Sequence, residues 1–194
     1  MAVFDATHPF AVQVTENIKN ACEKTTTKYI RIKRDKENYN LVNREKVRSA
    51  GSAEEAAIIL SAPCYKNKKV LLTTGSKTVG IYSHLEGFKD NYYLRMLPNV
   101  QMLGEVLQSG IKNSNVICMQ GPFSENMNYE MIKNYGIEVM VTKNSGNTGG
   151  TQEKINAAMR AGTEVIIIED TGSDECIGIG LSEALKYITE IVEK

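Results

Sequence analysis

Tryptophan is absent from this chain of 194 residues, and histidine occurs only twice. So few histidines argue against a histidine-rich metal site, and we expect no bound metal. No apolar run approaches the roughly 18 residues of a membrane-spanning helix, so the sequence predicts a soluble globular protein without a membrane partner. The N-terminus also lacks the charged and apolar pattern of a secretory signal peptide.

The cysteines are few and widely separated along the chain, at Cys22, Cys64, Cys118 and Cys176. Zinc sites and redox sites use closely spaced pairs of cysteines, so neither kind of site is indicated. We therefore expect reduced thiols and a cytoplasmic protein.

Charges of the two signs balance, with 23 Lys and Arg residues against 23 Asp and Glu residues. Basic residues nevertheless predominate between Lys28 and Arg48, and acidic residues predominate from Glu164 to the C-terminus. A basic face attracts an anionic partner, although a solvated surface is the more common reason for such a segment. The zero net charge and the lack of a recognised binding motif argue against nucleic acid as a partner.

Apolar, strand-like segments alternate with helical segments along the chain. The first predicted strand ends at Phe4. The others lie at 29–32, 69–73, 92–96, 115–119, 139–141 and 164–168. The predicted helices lie at 12–21, 53–62, 100–110, 125–135, after Gly150 and at 181–192. Ser52, with Glu55 three residues later, and Ser124 are expected to cap two of these helices. The alternation predicts an α/β fold in which parallel sheets carry helices on both faces.

The segment Glu138–Gly162 combines a strand, a glycine-rich turn and a helix in immediate succession. Its turn contains small or polar residues, namely Thr142, Lys143, Ser145, Gly146, Thr148, Gly149 and Gly150. Small residues allow the backbone to approach a ligand, and the first helical turn offers unpaired N–H groups beside the positive charge of Lys143. This predicts a cradle for an anion such as phosphate. Because the spacing matches neither the dinucleotide fingerprint nor a Walker A loop, a flexible strand-to-helix connection is the alternative.

Two further loops follow predicted strands. Thr74, Gly75, Ser76 and Lys77 suit a phosphate or a ribose, with a polar turn and an exposed lysine as the alternative, and Gly121–Ser124 forms the second loop. In parallel sheets, ligands bind at the carboxyl ends of the strands. We therefore expect these two loops and the glycine-rich turn to meet at one edge of a sheet.

Two isolated side chains have chemistry suited to a site. His8 is a candidate proton or hydrogen-bond donor, and a histidine satisfied by the local backbone is an equally good interpretation. Arg95 is suited to pair with a carboxylate in fork geometry, or it simply lies on an edge strand.

Five motifs occur in one order along nearly the whole chain. They are Asp5-Ala6-Thr7-His8-Pro9-Phe10-Ala11, Leu72-Thr73-Thr74-Gly75-Ser76-Lys77, Arg95-Met96-Leu97-Pro98, Gly121-Pro122-Phe123-Ser124 and Val141-Thr142-Lys143-Asn144-Ser145-Gly146, with Gly149-Gly150 and Lys154 after the last. In order and spacing they resemble the precorrin-6A reductase family, which includes the cobalt-precorrin-6A reductases of cobalamin biosynthesis. The resemblance implies an oxidoreductase that uses NADPH to reduce one ring double bond of precorrin-6A or cobalt-precorrin-6A, giving the corresponding precorrin-6B.

The same resemblance implies a fold of two Rossmann-like halves, the first one incomplete. Family members normally begin with a strand and a glycine loop ahead of the Asp5–Ala11 motif, and this sequence has no such segment. We therefore expect residues 1–64 to be the remnant of a first domain and residues 65–194 to form the second. An incomplete sheet edge of this kind favours a homodimer. The family also tends to have an Arg-Pro stretch after its last strand, where this chain has Glu169-Asp170-Thr171-Gly172.

The resemblance also implies roles for individual residues. NADPH is expected to contact hydroxyls, glycines and lysines at Thr74, Gly75, Ser76, Lys77, Gly121, Thr142, Lys143, Ser145, Gly146, Gly149 and Gly150. The acidic side chains of the corrin-ring precursor are expected to contact Asp5, Thr7, His8, Phe10, Arg31 and Arg95, with His8 as the candidate catalytic proton donor. Two alternatives stay open. One is a non-catalytic remnant that binds nucleotide or tetrapyrrole, and the other is a different NAD(P)-dependent reductase on a shared fold.

Overall fold

The computed structural model describes residues 1–7, 11–32, 44–145, 149–169 and 178–192. The chain divides into two compact units, one comprising Met1–Asn38 with Asp170–Lys194 and the other comprising Tyr39–Glu169. The first boundary therefore lies near residue 38, whereas the sequence predicted it at residue 64. The reason is a strand at Val47–Ala50 that pairs with the strand at Glu164–Ile168, so these residues share a sheet with the chain after residue 64.

The first unit is built on a three-stranded parallel sheet. Its elements are β1 (Ala2–Asp5), α1 (Val12–Lys24), β2 (Lys28–Ile32), β9 (Gly178–Ile179) and α8 (Leu181–Val192). The strand order is β1-β2-β9. Helix α8 packs through Ala184, which is buried, and through an edge-on contact between the rings of Tyr187 and Phe4.

The second unit contains the larger sheet. Its elements are β3 (Val47–Ala50), α2 (Ala53–Leu60), β4 (Val70–Leu72), α3 (Val79–Tyr82), α4 (Phe88–Asn91), β5 (Tyr92–Met96), α5 (Val100–Gln108), β6 (Val116–Cys118), α6 (Glu125–Tyr135), β7 (Val139–Lys143), α7 (Thr151–Ala161) and β8 (Glu164–Ile168). Short 3-10 turns lie at Arg44–Lys46, Pro63–Tyr65, Ser76–Thr78 and Asn113–Asn115.

The six strands of this sheet are all parallel and lie in the order β3-β8-β7-β4-β5-β6. After β4, the chain adds β5 and then β6 on one side of β4. It then crosses to the other side of β4, where it adds β7 and then β8. The direction of building therefore reverses between β4 and β7. In open α/β sheets such a switch point creates a crevice at the carboxyl ends of the strands, where ligands bind.

Helices cover the sheet and bury its strands. One core cluster joins alternate strand residues to α6 and α7, and includes Leu71, Tyr93, Ile117, Ile132, Met140, Ile155, Val165 and Ile167. The residues between them, such as Leu72, Val141 and Ile166, are equally buried. Strands buried on both faces are typical of a parallel sheet between two helical layers. The predicted α/β class, with parallel sheets and surrounding helices, is confirmed.

Helix capping accounts for the accuracy of several helix starts. The backbone N–H of Glu55 donates to Ser52 Oγ at 3.2 Å, and that of Met127 donates to Ser124 Oγ at 3.2 Å. The Glu55 carboxylate reaches back to accept a hydrogen bond from the backbone N–H of Gly51, the residue before the cap, at 2.7 Å, in a variant of the capping box. By contrast, β3 was not predicted, because Val47-Arg48-Ser49-Ala50 contains a single large apolar residue and occupies the edge of the sheet.

Two buried tyrosines provide a test of the packing around α2 and α3. Within the described residues, the hydroxyl of Tyr82 has no hydrogen-bond partner, whereas the hydroxyl of Tyr65 donates to the Glu164 carboxylate. A buried polar group without a partner costs about 1–3 kcal/mol, so we expect Tyr82→Phe to raise the free energy of unfolding by about 1 kcal/mol. The matched change Tyr65→Phe should lower it by about 1–2 kcal/mol. Urea unfolding measures both, and equal destabilisation by the two changes would contradict this account.

Candidate functional site

The loop after β4 is attached directly to β7 at the switch point. The backbone N–H and the hydroxyl of Thr73 both donate to the carbonyl oxygen of Val141, each at 2.9 Å. Thr74 is buried, and its hydroxyl lies 2.8 Å from that of Thr78. These bonds hold the loop in a tight turn, so its next residues project from the carboxyl edge of the sheet.

Gly75 allows this turn because its φ of +85° lies in the left-handed region that side chains disfavour. Among the described residues, no atom outside its immediate chain neighbours would lie within 4 Å of a Cβ at this position. After it, Ser76 and Lys77 line an open cleft of about 440 Å³. The cleft lies against α5, and its other lining residues are Val79, Gly80, Met102, Glu105 and Val106.

Two lysines gather positive charge at this edge. Lys143 is the last residue of β7 and is partly buried. Burial, followed by the nearby charge of Lys77, lowers the pKa of Lys143 below its usual value. Two like charges that raise each other's energy favour an anion close to both of them. The structure therefore places these two positive charges close enough to influence each other.

The glycine-rich loop between β7 and α7 is held by its own side chains. The backbone N–H of Ser145 donates to Thr151 Oγ1 at 3.1 Å, and the two hydroxyl oxygens lie 3.2 Å apart. A Cβ at Gly149 would overlap the Ser145 side chain, so this close approach requires glycine. Gly146 lies outside the described residues.

The N-terminus of α7 begins directly after Gly149 and Gly150 of the glycine-rich loop. Gly150 precedes the helix with a φ of +62°, and no side chain of the described residues caps it. The first N–H groups of a helix have no partner within the helix, and together with the helix dipole they favour an anion. A Cβ at Gly150 would lie 3.7 Å from Pro122 Cβ and 3.8 Å from the Phe123 carbonyl oxygen. The structure thus brings the loop at 121–124 against the glycine-rich loop, and its Gly121-Pro122 peptide bond is cis.

Arg95 lies beneath these loops, on β5, with 6% of its surface exposed. Its guanidinium donates to Asn128 Oδ1 at 2.7 Å and stacks 4.3 Å from the centroid of the Phe123 ring. Burial lowers its pKa to about 10. The edge-strand interpretation does not apply, because β5 lies between β4 and β6. A buried guanidinium of this kind adds positive charge below the loops.

Lys154 is a second buried cation, on α7, with 9% of its surface exposed. Its ammonium donates to the carbonyl oxygen of Gly149 at 2.8 Å. Burial and the charge of Arg95 lower its pKa to about 8, although Glu153 acts in the opposite direction. In the sequence, Lys154 stands out only as part of a motif. No role was predicted for it, because a lysine on a helix is normally exposed. Its burial, at the fourth residue of α7, is visible only in the structure.

The site residues predicted near the N-terminus belong to the first unit, and Asp5 organises them. Its carboxylate is 1% exposed and forms an ion pair of 2.5 Å with Arg31. It also accepts hydrogen bonds from the hydroxyls of Thr7 and Tyr29, each at 2.7 Å. Burial alone would raise the pKa of Asp5, but the bonds from Thr7, Tyr29 and Arg31 outweigh it and lower the pKa well below its usual range.

Arg31 is fixed in turn by donating to Thr7 Oγ1 at 2.8 Å and to the Thr7 carbonyl oxygen at 3.0 Å. The structure therefore joins Asp5, Thr7 and Arg31 in one network, whereas His8 and Phe10 lie outside the described residues. Across the described ranges, no three His, Cys, Asp or Glu side chains form a cluster that suits a metal ion. Nor does any helix in the described part of the chain have the length and apolar character needed to cross a membrane.

A family model and individual relatives of this chain point to the same protein family. The family model described as Precorrin-6x reductase CbiJ/CobK matches residues 1–190. The chain is 37% identical over 168 residues to the cobalt-precorrin-6A reductase of Methanothermobacter thermautotrophicus, covering 86% of this chain and 53% of the relative. It is 35% identical over 169 residues to that of Priestia megaterium, covering 86% and 64%. With that of Methanocaldococcus jannaschii it shares 32% identity over 188 residues, covering 96% and 71%.

A solved structure has the same fold. The structure described as CobK precorrin-6A reductase superposes with a TM-score of 0.70 and 23% sequence identity, covering 97% of this chain and 72% of that one. The chain thus spans about half to two thirds of the length of the first two curated relatives given above.

The buried charge of Lys154 predicts a pH effect on stability. Its pKa of about 8 in the folded chain lies below the roughly 10.4 of an unfolded lysine. Between these values the folded chain binds fewer protons than the unfolded chain, so the free energy of unfolding rises with pH across this window. Lys154→Met removes this contribution. We expect its stability relative to the wild type to fall by about 3 kcal/mol between about pH 7.5 and pH 10.5 in urea unfolding.

Lys133→Met, at an exposed position of α6, is the matched control and should show no such change. A stability difference for Lys154→Met that stays constant across this pH range would contradict the burial of a charged ammonium.

Proposed function

Because the chain belongs to the precorrin-6x reductase CbiJ/CobK family, we propose that it reduces a ring double bond of precorrin-6A or cobalt-precorrin-6A with NADPH. The product is the corresponding precorrin-6B, an intermediate of cobalamin biosynthesis. The observation that carries the proposal is the pair of lysines, Lys77 and Lys143, at the switch point beside the N-terminus of α7, which no described side chain caps. This is a place where parallel α/β sheets bind nucleotides.

The residues at this edge fit the phosphates of NADPH. Lys77 and Lys143 supply charge, Ser76 and Ser145 supply hydroxyls, and the first turn of α7 supplies backbone N–H groups. Gly75 leaves open space for a close approach, and Gly149 and Gly150 shape the loop. Thr74, Gly121 and Thr142 complete the proposed set, with Gly146 retained from the sequence motif. When bound, NADPH supplies the hydride, and the protein orients it and excludes water.

One acidic side chain bears on the choice of cofactor. Among the described residues that line the cleft with Lys77, Glu105 is the one carboxylate. A carboxylate repels the 2′-phosphate that distinguishes NADPH from NADH, so the lysines must outweigh it. We therefore propose that Lys77 carries much of the preference for NADPH.

For the ring substrate, we propose that positive charge holds its acidic side chains. In the first unit, Asp5 and Thr7 keep the Arg31 guanidinium in a fixed orientation, with His8 and Phe10 retained as further contacts and His8 as the proton donor. Arg95 in the second unit is buried beneath Phe123, so it contributes through its charge.

Neutralising either lysine tests the cofactor site. Each of Lys77→Gln and Lys143→Gln removes one charged contact to phosphate, which is worth about 1.5–3 kcal/mol, so we expect NADPH affinity to fall about tenfold or more. Glu105→Gln should strengthen NADPH binding, and Lys133→Gln on the exposed face of α6 is the neutral control. Nicotinamide fluorescence titration measures all four. Equal affinities for the wild type and both lysine variants would contradict the proposed site.

The reaction itself is tested by an anaerobic assay of the purified chain with NADPH and either precorrin-6A or cobalt-precorrin-6A. We expect oxidation of NADPH that depends on the ring substrate, and a product heavier by two hydrogen atoms. The two substrates together identify whether the metal is required. Binding of NADPH and substrate without turnover would contradict the enzymatic proposal and leave a nucleotide- and tetrapyrrole-binding protein.

A further inference from the structure

Lys154 is buried more deeply than a helical lysine without an acidic partner normally is. Lysines are almost never fully buried unless they are paired, yet within the described residues the Lys154 ammonium forms no ion pair with a carboxylate. Its hydrogen bond goes to the carbonyl oxygen of Gly149, at 2.8 Å. Side chains on a helix lean toward its N-terminus, and the lysine thereby reaches past the start of α7 into the preceding loop.

The charged groups around Lys154 do not explain why a lysine occupies this buried position. Arg95, on β5, repels the ammonium, and Glu153, its neighbour on α7, attracts it. Burial is the largest effect and disfavours the charged form. For stability alone, an uncharged side chain of similar length would suit this position better. The charge and its hydrogen bond therefore point to a role in the loop above.

That loop is held at both ends by the first residues of α7. Thr151 binds the backbone N–H of Ser145 at the start of the loop, and Lys154 binds the carbonyl oxygen of Gly149 at its end. Gly149 in turn lies so close to the Ser145 side chain that a Cβ there would overlap it. Release of the Gly149 carbonyl would free this close contact and the turn at Gly150.

We infer that Lys154 is a positioning residue, whose buried ammonium holds Gly149 and Gly150 so that the first-turn amides of α7 face an anion. The identity of the anion rests on the proposed function, but the restraint on the loop does not. Lys154 acts through the backbone of the glycine-rich loop and adds its charge beneath the site, together with that of Arg95.

Hydrogen–deuterium exchange of the ligand-free protein tests this restraint at neutral pH. In Lys154→Met we expect the hydrogen-bonded amides of Ser145 and of position 154 to exchange about tenfold faster, because one charged hydrogen bond is worth at least about 1.4 kcal/mol. The melting temperature should not fall below that of the wild type by more than a few degrees, because removal of the buried charge favours folding. Lys154→Arg, which keeps the charge and a donor, should restore slow exchange. Gln152→Met, on the exposed side of the same turn, is the control.

Unchanged exchange in Lys154→Met would overturn the inference, and so would loss of the whole fold, which would make Lys154 a structural residue. NADPH titration of the same variants is a separate readout, in which we expect about a tenfold loss for Lys154→Met and recovery in Lys154→Arg. A wild type that binds no NADPH, combined with faster exchange in the variant, would refute the cofactor assignment and still support the role of Lys154.

Discussion

The pairing of β4 with β7 is the constraint on which the candidate site depends. Val70, Leu71 and Leu72 pair with Val139, Met140 and Val141, and Thr73 extends the ladder through the Val141 carbonyl. Because β4 also pairs with β5, the chain leaves these two central strands in opposite directions. The loops that follow β4 and β7 therefore start side by side at the carboxyl edge of the sheet. There the charge of Lys77 lowers the pKa of Lys143, although the two residues are far apart in the sequence.

The buried positive charges near these loops lower the free energy of unfolding. Burial is the main reason why the pKa values of Lys143, Lys154 and Arg95 are lowered. The charged form of each side chain is therefore less favourable in the folded protein than in water. An anion that binds at the proposed site offsets part of this cost, because it favours the charged form of all three side chains. Asp5 in the first unit shows the contrasting case, in which hydrogen bonds from Thr7, Tyr29 and Arg31 stabilise a buried carboxylate within the protein itself.

Much of this fold follows from local signals in the sequence. Ser124 marks the start of α6, and the apolar runs at 92–96 and 164–168 coincide with β5 and β8. The strand order does not follow, because β7 passes β5 to pair with β4 and no local signal specifies that choice. Strand β3 was missed because it contains a single large apolar residue. Without β3, the sequence placed the boundary between the units at residue 64. The pattern also gave no role to Lys154, since its depth depends on the packing of α7 under the loops.

The central claim is that the charges at the β4 and β7 loops form a site for the phosphates of NADPH. Calorimetric titration of the purified chain with NADPH and with NADH at two salt concentrations tests it most directly. We predict clear binding of NADPH, weaker binding of NADH, and an NADPH affinity that falls as salt screens the phosphate contacts. Absence of binding, or equal affinities for the two nucleotides that do not depend on salt, would contradict the account.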